Sequence, residues 1–233
     1  MYILKPNKQR GQVAIGFSAV VVAMCIAEIV VYLWQYYLID AFRNGSVGMD
    51  DLNVSDIVIR IVAITGLVFF LVSNIVFILW FRRAYYNIHE LSPVALKYAD
   101  SMAVGGWFIP VGNFFIPFQI MKDIWRSTMN VLGGNTKFPH PAALIFVWWL
   151  CYILYCLNGY IAPITASLLS NDPADKYKYQ VLLLAIGSMI GVFSFIAQIV
   201  LIRKYALLEI EMQQTIEQSE DSIFAINPTA YME

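Results

Sequence analysis

The sequence predicts an all-α integral membrane protein: a helical bundle of four transmembrane spans with an amphipathic or re-entrant segment on one side. Three observations predict it. Of 233 residues, 60% are hydrophobic and only 13% charged, whereas a soluble domain carries about a quarter charged residues. Mean hydropathy is +0.65. Four apolar runs exceed the ~20 residues that a ~30 Å hydrocarbon core requires, and in lipid such runs satisfy their own backbone as helices.

The first run extends from Val13 to Ile39. Lys5, Lys8 and Arg10 precede it, but it is longer than the roughly 7–15 residue core of a signal sequence. The second runs from about Ser55 to Phe81 and the third from about Ala142 to Leu168. Gly159 and Pro163 bend the third. The fourth covers about Tyr179 to Ile202. Residues 1–204 thus form the transmembrane domain. Residues 205–233 read as a cytoplasmic extension, in which "YALLEIEMQQTIEQ" prolongs the fourth helix and Glu217, Glu220 and Asp221 lead into an acidic tail.

Charge sets the expected orientation. Lys5, Lys8 and Arg10 stand before the first span. Arg82, Arg83, Lys97, Lys122, Arg126 and Lys137 lie between the second and third, and Arg203 and Lys204 follow the fourth. The first-to-second connection is mainly acidic, with Asp40, Asp50, Asp51 and Asp56 against Arg43. Basic segments remain on the cytoplasmic side, so both termini and the whole region between the second and third spans are expected there. The stretch "GGWFIPVGNFFIPFQIMKDIWR" within that region therefore crosses the membrane an even number of times, most simply zero.

Its composition predicts how it does so. Gly105, Gly106, Pro110 and Gly112 break its first half, and Asn113 is a candidate helix cap. Beyond them Gln119, Lys122, Asp123, Arg126 and Asn130 draw one polar stripe at helical spacing, with apolar residues around it. Asp123 and Arg126 are placed to pair along the stripe. Over residues 104–132 the expectation is a helix in the headgroup layer, with Trp107 and Trp125 as interfacial anchors. The alternative is a stripe facing a watery cavity between the spans.

The blocks "WFRRAYYNI" (Trp80 to Ile88) and "AVGGWFIPVGNFFIPFQIMKDIWR" (Ala103 to Arg126) resemble the signature of a bacterial membrane family catalogued as domain of unknown function 4328. The matching positions are Arg83, Ala84 and Asn87 in the first block. In the second they are Trp107, Phe108, Pro110, Asn113, Pro117, Ile124, Trp125 and Arg126. The chain departs where "HELSPVALKYADSM" joins the blocks: Met102 stands where family members commonly place a proline. The resemblance implies location in a bacterial inner membrane and a shared cytoplasmic-side patch. It implies no activity.

Inside the spans Glu28 is the one deeply placed acid. At 1.5 Å per residue it lies roughly 22 Å from the inner end of the first helix, level with Asn158 and near Thr65 and Ser188. These four define an expected intramembrane polar layer. It serves either as an ion or proton site, or as a packing hydrogen bond of about 0.6 kcal/mol. Gly187 and Gly191 form G-x-x-x-G on the fourth span, for a dimer contact or for packing within the chain, with the Ala19, Ala23, Ala27 ridge as a candidate partner. Arg82 and Arg83 snorkel to headgroups and, with Lys97, Lys122 and Arg126, suit anionic lipid.

Cys25, Cys151 and Cys156 sit in apolar runs. The last two point about 140° apart on a helix, so all three read as small hydrophobes. His89, before Ser92-Pro93, and His140, between two prolines, have no ligand-spaced neighbour, so no metal or cofactor is expected. The net charge of −1 gives no reason to expect nucleic acid. The favoured function is a non-enzymatic membrane protein that contacts lipid headgroups or a membrane partner through residues 104–132. The alternatives are a small oligomeric channel or transporter using the Glu28 layer and, last, an intramembrane enzyme.

Overall fold

A computed structural model describes residues 4–91, 96–133 and 139–226, with side chains to Gln218. Ser92, Pro93 and Lys137 lie outside the described residues, as do the side chains of Glu220 and Asp221. Helix α1 spans Lys8–Arg43, α2 Met49–Leu91, α3 Met102–Gly105, α4 Ile116–Val131, α5 Ala142–Leu169 and α6 Pro173–Ile226. A 3₁₀ turn, Gly112–Phe114, precedes α4. No strand occurs among the described residues, and the fold is an all-α bundle. Among the described residues, helices α1, α2, α5 and α6 are the four long and apolar enough to cross a membrane.

The helices outrun their apolar runs. In α2 the helix continues through Arg82 and Arg83 to Leu91, and α6 has 54 residues. Hydropathy marks where lipid is tolerated; a helix ends only where its backbone loses its partners.

The chain forms two compact units. The span unit comprises Ile15–Ile75 and Phe146–Ile199. The loop-bearing unit comprises residues 1–14, 76–145 and 200–233. Every described basic residue predicted on the cytoplasmic side belongs to the second of these, including Lys5, Arg10, Arg83, Lys122 and Lys204. The 96–133 region holds no helix long and apolar enough to cross a membrane: α4, its longest, has 16 residues, about 24 Å.

In the span unit the outward faces are apolar as well as the inner ones. Ile57, Ile61, Ile64, Val68, Leu71 and Ile75 of α2 are all more than half exposed, a surface suited to lipid and costly in water. Inside, Val21, Cys25 and Phe195 pack against Phe69, Phe70 and Tyr155. Buried polar side chains hydrogen-bond across helices. Gln198 Nε2 donates to Ser18 Oγ (2.9 Å), Trp148 Nε1 to Gln198 Oε1 (3.2 Å) and Tyr152 OH to Asn74 Oδ1 (2.7 Å). Each removes a polar group that hydrocarbon would leave unsatisfied. At the acidic end Tyr177 OH and Gln35 Nε2 both donate to Asp56 Oδ1, and Ser55 Oγ donates to Gln35. Arg43 pairs with Asp172 and Asp175 at 2.6 Å.

The loop-bearing unit has an aromatic core. Trp80, Phe81, Tyr85, Trp125 and Tyr205 are fully buried. The Tyr205 ring stands edge-on to both Trp80 and Trp125, at 5.8 Å in each case, a favoured aromatic geometry.

Candidate functional site

Residues 104–132 differ from the expected headgroup helix. Trp125 is 0% exposed, and Trp107 packs edge-on to Phe77 and Phe81 at 6.0 Å. Neither tryptophan is an interfacial anchor; both are core of the loop-bearing unit. An amphipathic pattern requires a cover for its apolar face, and the chain's own helices supply it. The polar stripe is also used internally. Gln119 Oε1 accepts from Lys97 Nζ and Tyr98 OH, both at 2.7 Å. Lys122 Nζ lies 5.5 Å from the Phe118 ring. Burial raises the Asp123 carboxyl against the opposing charges of Arg126, Lys97 and Lys122. Arg126 and Asn130 are exposed. Asn113 does not cap α4: Phe115 holds that position without a side-chain bond, and Pro117 sits in the first turn.

The exposed part of the segment is instead the turn between α3 and α4. Phe108 is 75%, Val111 70% and Phe115 57% exposed. Val111 has φ 63°, a left-handed conformation unusual for a β-branched residue. Pro110 and Gly112 flank it. Gly106 cannot be replaced freely, since a Cβ there would meet the Met102 carbonyl oxygen at 2.8 Å.

Arg82 and Arg83 come together with two cations from the N-terminal segment. Lys5, Arg10, Arg82, Arg83, Tyr86 and Asp100 line a cavity of about 280 Å³ with Leu79. Asn87 holds the N-terminal segment in place: it accepts from the Lys5 N–H (3.2 Å) and donates to the Lys5 carbonyl (3.0 Å). Lys5 Nζ stacks over Tyr86, 3.7 Å from the ring centroid. Arg10 Nη1 donates to the Leu79 carbonyl at 3.2 Å. Arg82 lies 3.7 Å from Asp100, the one acid of the lining. Partial burial lowers the Arg10 pKa, and the charges of Arg83 and then Arg82 lower it further. Lys122 and Arg126 do not line this cavity.

Beside it Asn7 Nδ2 donates to Glu209 Oε1 at 3.0 Å, in a cavity of about 370 Å³ that also takes Lys5, Lys8 and Asn87. Glu209 lies beyond the apolar span, in a stretch whose sequence reads only as a polar helical extension. Burial pushes its carboxyl up to about 7, against hydrogen bonds from Asn7 and Asn87. A raised folded-state value means the folded protein holds this proton more tightly than the unfolded chain. The stability contribution is complete below about 4.5 and is lost as pH rises to about 7. The unfolding midpoint should therefore fall across that window, and Glu209→Gln should flatten the fall. Parallel profiles for the two proteins would exclude a buried Glu209 carboxyl.

Of the expected polar layer, three members meet. Ser188 Oγ donates to Glu28 Oε2 at 2.7 Å. Asn158 shares with both a cavity of about 420 Å³ in the span unit. Thr65 does not join them: it is exposed, and its neighbour Gly66 takes the inward position, where a Cβ would approach Glu28 Oε1 to 2.7 Å. Depth follows from residue counting and rotation does not, since adjacent helical residues point about 100° apart. The G-x-x-x-G packs within the chain. A Cβ on Gly187 would collide with Asn158, and one on Gly191 would meet Tyr155 at 2.7 Å and Cys25 at 3.0 Å. The alanine ridge is not its partner: Ala19 and Ala23 are exposed. Cys25 is buried, Cys151 and Cys156 are half-buried, and all three are free. His89 Nε2 lies 3.0 Å from the Tyr98 carbonyl.

Four long apolar helices, outward apolar faces and hydrogen-bonded polar groups between the spans define a helical membrane protein. Within that class the chain belongs to the family described as Domain of unknown function (DUF4328), whose model matches residues 43–206. That stretch contains both blocks of the sequence signature. No curated protein matches the chain, and no solved structure matches it.

Proposed function

We propose that the protein is a non-enzymatic, multi-pass component of a bacterial cell membrane. In this reading both termini are cytoplasmic, and the pocket of Lys5, Arg10, Arg82 and Arg83 binds the phosphate of an anionic lipid. The observation that carries it is the convergence of four cations on one cavity opposite a single acid. Like charges brought together repel unless an anion completes the cluster. Guanidinium forks match phosphate oxygens in geometry, and Tyr86 holds the Lys5 ammonium in place.

A lipid is favoured as the source of the phosphate by the apolar turn of the same unit. Phe108, Val111 and Phe115 are suited to a bilayer and poorly suited to water. Basic clusters next to a span attract anionic lipid. Exposed Arg126 and half-buried Lys122 add diffuse attraction outside the pocket.

Purified protein in a neutral maltoside detergent, titrated with phosphatidylglycerol or with a diacylglycerol that lacks phosphate and ammonium, tests this. A ligand that binds only the folded state raises the unfolding temperature by mass action. Phosphatidylglycerol should give a saturable rise and the diacylglycerol little or none. Equal shifts, or none, would sink the proposal.

A further inference from the structure

The span unit contains a second site that the lipid pocket does not explain. Its 420 Å³ cavity is of the size that holds small molecules, roughly 300–1,000 Å³. Glu28, 8% exposed, presents its carboxylate there. One oxygen accepts from Ser188 and the other lies against Gly66. No basic side chain forms an ion pair with Glu28 among the described residues. A carboxylate among apolar groups is costly without a counter-charge. Tyr32, Phe70, Tyr155 and Tyr160 line the same cavity. Tyr160, 75% exposed, is the most exposed of these four rings.

We infer that this cavity binds a small organic ammonium ion, with Glu28 as counter-charge and the aromatic rings as its cage. Rings attract cations through their faces, most strongly where water is excluded. A bare metal ion fits poorly. Magnesium and calcium take six or more oxygen ligands, whereas Glu28, Ser188 and Asn158 are flanked here by Leu67, Leu184 and the aromatic rings. A neutral apolar molecule would leave the carboxylate without a counter-charge. A free amine and a lipid headgroup both carry such an ammonium, and the site recognises the same chemistry in either.

The probes are choline and its neutral isostere 3,3-dimethylbutan-1-ol, titrated calorimetrically into the full-length protein in maltoside. Choline should bind once per chain and at least about tenfold tighter than the alcohol. The isosteric Glu28→Gln should erase that preference. Tyr160→Leu, at an exposed position that leaves the core intact, should weaken choline severalfold and the alcohol little. Equal affinities, no choline binding, or an unchanged preference in Glu28→Gln would overturn the inference. The first two of these outcomes are read on the unmodified protein, so they do not depend on a variant folding. Displacement of choline by dihexanoylphosphatidylcholine would support the site with a lipid headgroup as its ligand. Choline binding without displacement would support it with a free cation.

Discussion

Replacing Trp125 with alanine is expected to destabilise the protein by about 3–5 kcal/mol, the range for a large aromatic removed from a packed core. The side chain is 0% exposed and its ring packs edge-on to Tyr205, itself packed on Trp80. One deletion therefore opens a cavity where α4, α6 and α2 meet within the loop-bearing unit. Trp125→Phe should cost much less, because the indole N–H is buried without a hydrogen-bond partner and phenylalanine keeps most of the ring contact. Phe108→Ala, at a residue 75% exposed, should change stability by no more than about 0.5 kcal/mol. Denaturant unfolding in detergent measures all three. An interfacial anchor would show the opposite pattern, with weak effects on unfolding at Trp125 and strong effects on membrane partition.

Reversing charge at Arg10 and Arg83 together should reduce the affinity for phosphatidylglycerol by about 100-fold. Each hydrogen bond to a charged group contributes about 1.5 kcal/mol or more, and two such losses correspond to that factor. Arg10→Glu with Arg83→Glu is to be compared with Lys122→Glu with Arg126→Glu, measured by the same lipid-induced shift in unfolding temperature. Both doubles change net charge by the same amount, but only the first alters the cavity lining. The second should cost a few-fold at most, through diffuse attraction alone. Equal losses would mean that the surface field binds lipid and the pocket does not.

The four long apolar helices are legible in the sequence because lipid imposes one rule on every residue of a run, which length and hydropathy express. The charge grouping is legible too, and the compact unit that gathers Lys5, Arg10, Arg82, Arg83 and Lys122 reproduces it. Amphipathicity at residues 116–131 is correct as a pattern and misleading as a location. The pattern states that one face is apolar, and cannot state whether lipid or protein covers it. Trp107 and Trp125 are core rather than anchors for that reason.

Rotation about a helix axis is the second limit. Thr65 and Gly66 are at nearly the same depth, yet only Gly66 faces Glu28. Gly187 and Gly191 announce a close approach, and Asn158, Tyr155 and Cys25 make it. Their identity depends on packing among α1, α5 and α6, which a single sequence does not encode locally. Asn7 and Glu209 escape sequence reading, and Asn87 enters it only as a position of the family signature, because each looks like a solvated polar residue until the N-terminal segment folds onto α2 and α6 within one unit.

If the pocket is a lipid site, a lipid phosphate sits among Lys5, Arg10, Arg82 and Arg83. Solid-state NMR of the protein in phosphatidylglycerol-containing bilayers, with arginine labelled by nitrogen-15, tests this most directly, through dipolar coupling between guanidinium nitrogens and lipid phosphorus. Coupling is expected at signals assigned, by their loss in Arg10→Lys and Arg83→Lys, to those two arginines. Coupling confined to exposed Arg126 and Arg203, with none at Arg10 or Arg83, would contradict it.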